Sequence, residues 1–199
     1  MGDIRKPIKQ SAIEKKQRII EKGFELMCEK GYHNVNSVDI AKYAGVSTGI
    51  IYQYFNDKRD IFIEGVKNYS NNIMYPMIEI IENKINKNNL EKILEQIIDK
   101  FIETHKISKK AHEELMSQTY IDEEINYIFK QNELDLTKKI VKALEYNDFK
   151  IKNLTEKVHI IIGIVENFCH EVVYHNHKNM NYEEMKKDVI GTIKYLLQK

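Results

Sequence analysis

Proline and glycine are scarce in this chain of 199 residues, two and eight respectively. That excludes collagen-like and low-complexity segments and argues against a many-turned all-β fold. Cysteine is too sparse for a disulfide framework: Cys28 and Cys169 are the only two, they show no metal-ligand spacing, and they fit a reducing compartment. The longest aliphatic stretch, Ile160 to Val165, falls far short of the roughly 20 residues a membrane helix needs. The first ten residues are charged rather than apolar, against a secretory signal, and Lys6 spoils an N-myristoylation pattern. Nor does one sign of charge dominate, since 31 Lys and Arg face 30 Asp and Glu for a formal net charge of +1. The expectation is a soluble, cytoplasmic chain of one or two domains.

What is abundant needs correcting before it is interpreted. Ile, Lys and Asn supply 77 of the residues, and all three have A/T-rich codons, so lysine number reflects an A/T-rich bacterial genome as much as function. Position says more. Residues 1–60 carry a net charge of +3 and residues 61–199 a net charge of −2, a modest asymmetry that places the basic character at the N-terminal end.

Almost every stretch has a helical period. Leu90, Ile93, Leu94, Ile97, Ile98, Phe101 and Ile102 fall at i, i+3, i+4, i+7, i+8, i+11 and i+12, one stripe on one helix. Ile121, Ile125, Ile128 and Phe129, continued by Ile140, Val141 and Leu144, predict a long helix with a possible bend near Asn132. Two more helices are expected over about 154–174 and 182–198. No segment alternates with period two for long and no Asn-Gly or Asp-Gly hairpin signal occurs, so the fold class is all-α. Breaks are expected at Gly31, at Asn86 to Asn89, around Asn147, Asp148 and Asn153, and over Asn176 to Asn181. Pro76 predicts a kink or a helix start.

Residues 37–56, SVDIAKYAGVSTGIIYQYFN, carry the most information. In a helix-turn-helix, Ala41 is small where the second helix crosses it, Gly45 supplies the positive φ that reverses the chain, and Val46 and Ile51 bury the inner faces. Ser47 can cap the second helix, and Asn36 the first, with Asp39 near the positive end of that helix. An ordinary antiparallel helix pair is the plainer alternative.

Ile19, Gly23, Phe24, Gly31-Tyr32, Asp39-Ile40-Ala41, Ala44-Gly45-Val46-Ser47, Gly49, Ile51-Tyr52-Gln53-Tyr54-Phe55, Lys58 and Asp60-Ile61-Phe62 closely resemble the tetracycline-repressor (TetR) family over residues 13–62. Val35 and Asn36 stand where two small hydroxyl residues are usual, so the contact made there passes to Asn36 or Ser37. The resemblance implies a helix-turn-helix DNA-binding domain over 1–57 and a helical effector-binding and dimerisation domain over 58–199. It also implies a homodimer paired through the last two helices, and double-stranded operator DNA as partner. Carried over residue by residue, Thr48, Gly49, Ile50 and Tyr52 would meet the major groove, and Ser47, Tyr54 and Lys58 would hold phosphates. Tyr54 has an equal reading as core. No Arg or Lys lies between Ala44 and Asp57, so Gln53 or Thr48 toward adenine and Ile50 toward thymine methyls would read A/T-rich half-sites. Lys15, Lys16 and Arg18 add backbone contacts or simply form a solvated face.

An unknown, largely apolar effector would lie among helices from about 60 to 175, against Met74, Met77, Phe101, Met116, Tyr120, Tyr127, Phe129, Phe168 and Tyr174. Gly163 permits close approach at a subunit interface or serves a core role within one subunit. His170-Glu171-Val172-Val173-Tyr174-His175 looks like a zinc-protease helix, but its histidines stand at i and i+5 rather than i and i+4. His177 can join His175 in a surface site, though no carboxylate or cysteine pattern completes it. No cofactor, metal or catalytic residue is implied. The reading is a ligand-responsive transcriptional regulator, more readily a repressor, whose effector changes the spacing of two DNA-reading heads. The alternatives are a DNA-binding adaptor that answers a protein partner, and a hydrolase built on the His170 cluster.

Overall fold

The structure, a computed structural model, describes residues 7–86 and 88–198, apart from the side chains of residues 70, 72–77 and 82–84. The regular structure of the described residues is helical, with no strand among them: α1 (Gln10–Lys30), α2 (Ser37–Ala44), α3 (Thr48–Tyr54), α4 (Lys58–Lys84), α5 (Leu90–Ile107), α6 (Lys109–Thr119), α7 (Glu123–Tyr146), α8 (Leu154–His170) and α9 (Tyr182–Leu196). A 3-10 turn at Tyr32–Asn34 follows α1, and a π-helical segment, Glu171–His175, extends α8. They fall into two compact units, Met1–Ser70 with Lys110–Ile128, and Asn71–Lys109 with Phe129–Lys199. None of the helices is long and apolar enough to cross a membrane.

In the first unit, α1 packs on α2 and α2 on α3. Ile19, Met27, Ile40, Ile51, Ile61 and Phe62 are fully buried, one or two from each helix, so the apolar stripes read from the sequence all face inward. Two glycines set how closely these helices approach. A Cβ on Gly65 of α4 would lie 2.5 Å from the Phe24 ring of α1, and one on Gly23 would lie 2.7 Å from Ile61 Cγ2.

In the second unit, α5, α8 and α9 pack on one another. Their core includes Leu90, Ile93, Leu94 and Ile98 of α5, Leu154, Val158 and Phe168 of α8, and Ile190 and Ile193 of α9, joined by Leu144 of α7 and by Phe149 from the turn that follows it. The expected breaks occur at backbone positions that suit short polar side chains: Asp148, Asn153 and Asn176 all take positive φ. Cys169 is fully buried, and burial pushes its thiol up to about 12.

Three expectations are corrected or narrowed. Position 76 lies inside α4, so no helix starts there. Ile121 stands before α7 and is 65% exposed, because Asp122 caps that helix by accepting from the N–H groups of Glu124 and Ile125 at 3.0 and 3.2 Å. Finally, the helix expected over 154–174 is α-helical only to His170 and changes to a wider π turn beyond it.

Candidate functional site

The helix-turn-helix is built from local chemistry. Asn36 caps α2 by a reciprocal pair of bonds: its side-chain oxygen accepts from the N–H groups of Val38 and Asp39, and Asp39 accepts from the Asn36 N–H at 3.0 Å. At the other end Gly45 has φ 67 and ψ 38, the left-handed conformation, and the Val46 N–H donates back to the Ala41 carbonyl at 2.9 Å. Ser47 occupies the N-cap position of α3, but among the described residues its hydroxyl makes no capping hydrogen bond. The capping role expected of Ser47 is therefore corrected. The backbone does the work instead, the Ile50 N–H donating to the Ser47 carbonyl at 2.9 Å, and the exposed hydroxyl stays on the surface.

The second helix has two distinct faces. Ile51 and Tyr54 are buried, at 0% and 6% exposure, while Gly49, Tyr52 and Gln53 are exposed and Thr48 and Ile50 half-buried. Burial favours the core reading of Tyr54. Asn36 is exposed and Ser37 half-buried at the start of α2. A Cβ on Gly49 would meet nothing within 4 Å, so the protein's own packing does not require a glycine there.

Lys58 has a role the sequence did not disclose. Its Nζ donates to the carbonyls of Tyr32 and Val35, both at 2.7 Å, and sits 4.4 Å from the centroid of the Tyr32 ring. Two of its three N–H donors thus hold the segment between α1 and α2, and one remains for an outside acceptor. Lys16 lies 5.3 Å over the Phe55 ring, which joins the end of α3 to α1.

More distant residues of the same unit brace this assembly. Arg59 grips Asp122 with two hydrogen bonds, at 2.5 and 2.8 Å, and reaches Glu124 at 2.8 Å. The guanidinium hydrogen bond holds the Asp122 carboxyl down at about 2. Glu114 of α6 accepts from the Tyr32 N–H and from the Gln118 amide, both at 3.0 Å. Nothing in the local sequence marks Glu114, Asp122 or Glu124 as partners, since 63 to 82 residues separate them from their contacts.

The second unit contains a cavity of about 80 Å³. Its wall is apolar throughout: Leu94, Ile97, Ile98 and Phe101 from α5, Leu136, Ile140 and Leu144 from α7, Val158, Ile161, Ile162 and Val165 from α8, with Ile81, Ile85, Ile193 and Leu197. Among the described residues expected beside an effector, only Phe101 is on this wall. Phe168 belongs to the buried core of this unit, Phe129 is half-buried, and Tyr174 stacks edge-on against His105 and His170. Met116 belongs to the other unit. Tyr120, in the turn between α6 and α7, and Tyr127, on the outer face of α7, stand on the surface, 86% and 63% exposed. Met74 and Met77 lie outside the described side chains. The aliphatic wall was missed because Ile, Leu and Val at core spacing do not differ in sequence from ordinary packing.

Comparison with known proteins adds to this geometry. Residues 19–64 match the family model described as bacterial regulatory proteins, tetR family. The HTH-type transcriptional regulator HbdR of Aromatoleum sp. (strain CIB) is 46% identical over 55 residues, 28% of this chain and 24% of that one. The uncharacterized HTH-type transcriptional regulator YerO of Bacillus subtilis (strain 168) is 26% identical over 189 residues, 93% of this chain and 65% of its own length. The chain thus spans about a quarter of the first relative and just under two thirds of the second. A solved structure from Mesorhizobium loti MAFF303099, assigned to the TetR family of regulators, superposes with a TM-score of 0.75 at 16% identity, covering 96% of this chain and 98% of that one. At that identity the likeness is one of fold.

Proposed function

With its helix-turn-helix matched over residues 19–64, the chain belongs to the TetR family of bacterial regulatory proteins, and on that premise we propose that it is a DNA-binding transcriptional regulator that works as a homodimer. The observation that carries this reading is the divided character of α3, with Ile51 and Tyr54 buried beneath and Gly49, Tyr52 and Gln53 exposed above. Residues 1–57 read DNA. Thr48, Gly49, Ile50, Tyr52 and Gln53 meet base edges in the major groove. Asn36, Ser37, Ser47 and the third donor of Lys58 hold phosphates, with Tyr54 setting the helix from below. Without Arg or Lys on α3, readout favours A/T-rich half-sites. A selected consensus with G·C pairs at the helix centres would sink that preference.

Residues 58–199 receive an effector and join two copies. One small helix-turn-helix reads too few bases to be selective, whereas two related by a two-fold read a palindrome with centres roughly 34 Å apart or a multiple. The last two helices supply the contact. Gly163 of α8 and Gly191 of α9 are exposed, and a Cβ on either would meet nothing within 4 Å, which suits close approach by a second chain. The all-apolar cavity supports a small hydrophobic effector rather than a protein partner. Effector binding favours one spacing of the recognition helices and DNA another, so the two oppose each other and the regulator represses in the cytoplasm.

The test is fluorescence anisotropy with DNA from immediately upstream of the gene, across a salt series, beside random DNA and Tyr52→Ala. Tight, salt-sensitive binding to the upstream fragment that the variant loses supports the reading. Absence of DNA binding at low salt overturns it.

A further inference from the structure

The π-helical end of α8 gathers three side chains that the proposed DNA reading does not use. Glu171 and His175 belong to that segment, and His177 follows two residues later. One ligand atom from each lies within 4.8 Å of the other two. His175 Nδ1 is 2.8 Å from Glu171 Oε1, and His177 Nε2 is 3.7 Å from Glu171 Oε2.

Backbone geometry holds the three in place. The Asn176 N–H donates to the Glu171 carbonyl at 2.8 Å, a bond five residues back that widens the turn. Asn176 then takes φ 46 and ψ 58 and turns the chain back on itself. The His177 N–H donates to the Tyr182 hydroxyl at 2.6 Å, which fixes the third residue from the start of α9. The i, i+5 spacing of His170 and His175 thus misses the pattern that matters. The carboxylate that completes the site is Glu171, inside the same hexapeptide.

Glu171 also asks for a cation. Its Oε2 is buried and has no hydrogen-bond partner among the described residues, with His177 Nε2 at 3.7 Å, beyond hydrogen-bond reach. A carboxylate oxygen withdrawn from water without a donor is costly, and a metal ion at the centre of the cluster removes that cost.

From this arrangement we infer that Glu171, His175 and His177 bind one divalent transition-metal ion of the zinc type. Two imidazoles and one carboxylate suit a borderline ion and not magnesium or calcium, which need more oxygen ligands. Ligands on tetrahedral zinc are about 3.3 Å apart for bonds of 2.0–2.1 Å; the three ligand atoms here lie within 4.8 Å of one another, and the exposed imidazoles close on the ion. The ion takes the place of the hydrogen bond between His175 and Glu171. Both imidazoles are more than half exposed, so the ion has a route in, and a water completes its shell. No hydrolysis is implied. The ion ties the end of α8 to the loop that leads into α9.

The test uses the full chain without an affinity tag, stripped of metal and titrated with zinc chloride by calorimetry. One zinc per chain is expected, with a Kd of about 10 μM or tighter, and no heat with magnesium. Glu171→Gln, His175→Ala and His177→Gln should each weaken binding by at least about tenfold, while His33→Ala leaves it unchanged. In the unaltered chain, zinc should move the imidazole ¹⁵N signals of His175 and His177 alone, a readout that does not depend on any variant folding. Absence of saturable binding, or a response confined to other histidines, overturns the inference.

Discussion

The Phe24 ring fills the space where Gly65 lacks a side chain: a Cβ on Gly65 would lie 2.5 Å from its Cγ and Cδ2 and 2.6 Å from its Cβ. Phe24 also contacts the rings of Phe62 and Tyr69, at 5.3 and 5.9 Å between centroids. Aromatic neighbours limit how far it can yield. Gly65→Ala should therefore destabilise the protein by about 1–3 kcal/mol, despite alanine's better helix propensity. In a Phe24→Ala background, which removes Cγ and Cδ2, the same substitution should cost less. Urea melts of the four proteins check the coupling, and equal costs in both backgrounds would separate the two residues.

Gly49 tests the opposite case, an empty place on the outside. A Cβ there meets nothing, so Gly49→Ala should leave thermal stability unchanged or raise it by up to about 1 kcal/mol. If a groove of DNA comes close at that point, affinity should fall by tenfold or more, about 1.4 kcal/mol. Melting and anisotropy on one preparation separate the effects. A stable variant with full affinity would remove Gly49 from the interface.

Asp122 makes a prediction in acid. Its folded value of about 2 lies below the ordinary 3.8, held there first by the Arg59 hydrogen bonds and then by the N–H groups of Ile125 and Glu124, against burial. A depressed carboxylate stabilises the fold above its unfolded value, and that contribution disappears as pH falls through the folded value. The Arg59–Asp122 contact should thus persist at pH 3.5 and be lost near pH 2. Asp122→Asn should cost about 1 kcal/mol at pH 7, given the partial exposure of the pair, and nothing near pH 2. Carboxyl chemical shifts against pH give the midpoint directly, and one near 4 would contradict the hydrogen-bonded geometry.

Gly163 bears on assembly. Since a Cβ there touches nothing within the chain, Gly163→Gln should keep the helical content and the melting temperature of a monomer. If α8 pairs with a second copy, sedimentation should show the variant dissociating at concentrations where the unaltered chain is dimeric. An unchanged oligomer would place the interface elsewhere.

The parts of this fold that the sequence reveals are those set by near neighbours. The stripe from Leu90 to Ile102, the capping pair of Asn36 and Asp39 and the left-handed Gly45 each depend on residues within a turn or two. The exposed positions of α3 follow from the same periodicity. What stayed hidden depends on partners far along the chain or on departures from the 3.6-residue period. Gly65 reads as an ordinary helical glycine until Phe24 is placed against it. Lys58 reads as a surface lysine until its two carbonyls are seen. Glu171 was overlooked because only the wider turn and the reversal at Asn176 bring it beside His177.

The bracing of the helix-turn-helix by Glu114 and Asp122 has a consequence for how the protein is made. Residues 1–57 are synthesised well before either carboxylate is joined to the chain, and the first unit includes residues 110–128. A nascent chain stalled at residue 100 holds all of α1, α2 and α3, but Arg59 and the Tyr32 N–H lack the partners that anchor them in the finished protein. Only when residue 124 clears the ribosome can this unit close. The order of translation thus withholds a fully braced helix-turn-helix until much of the second unit has been synthesised.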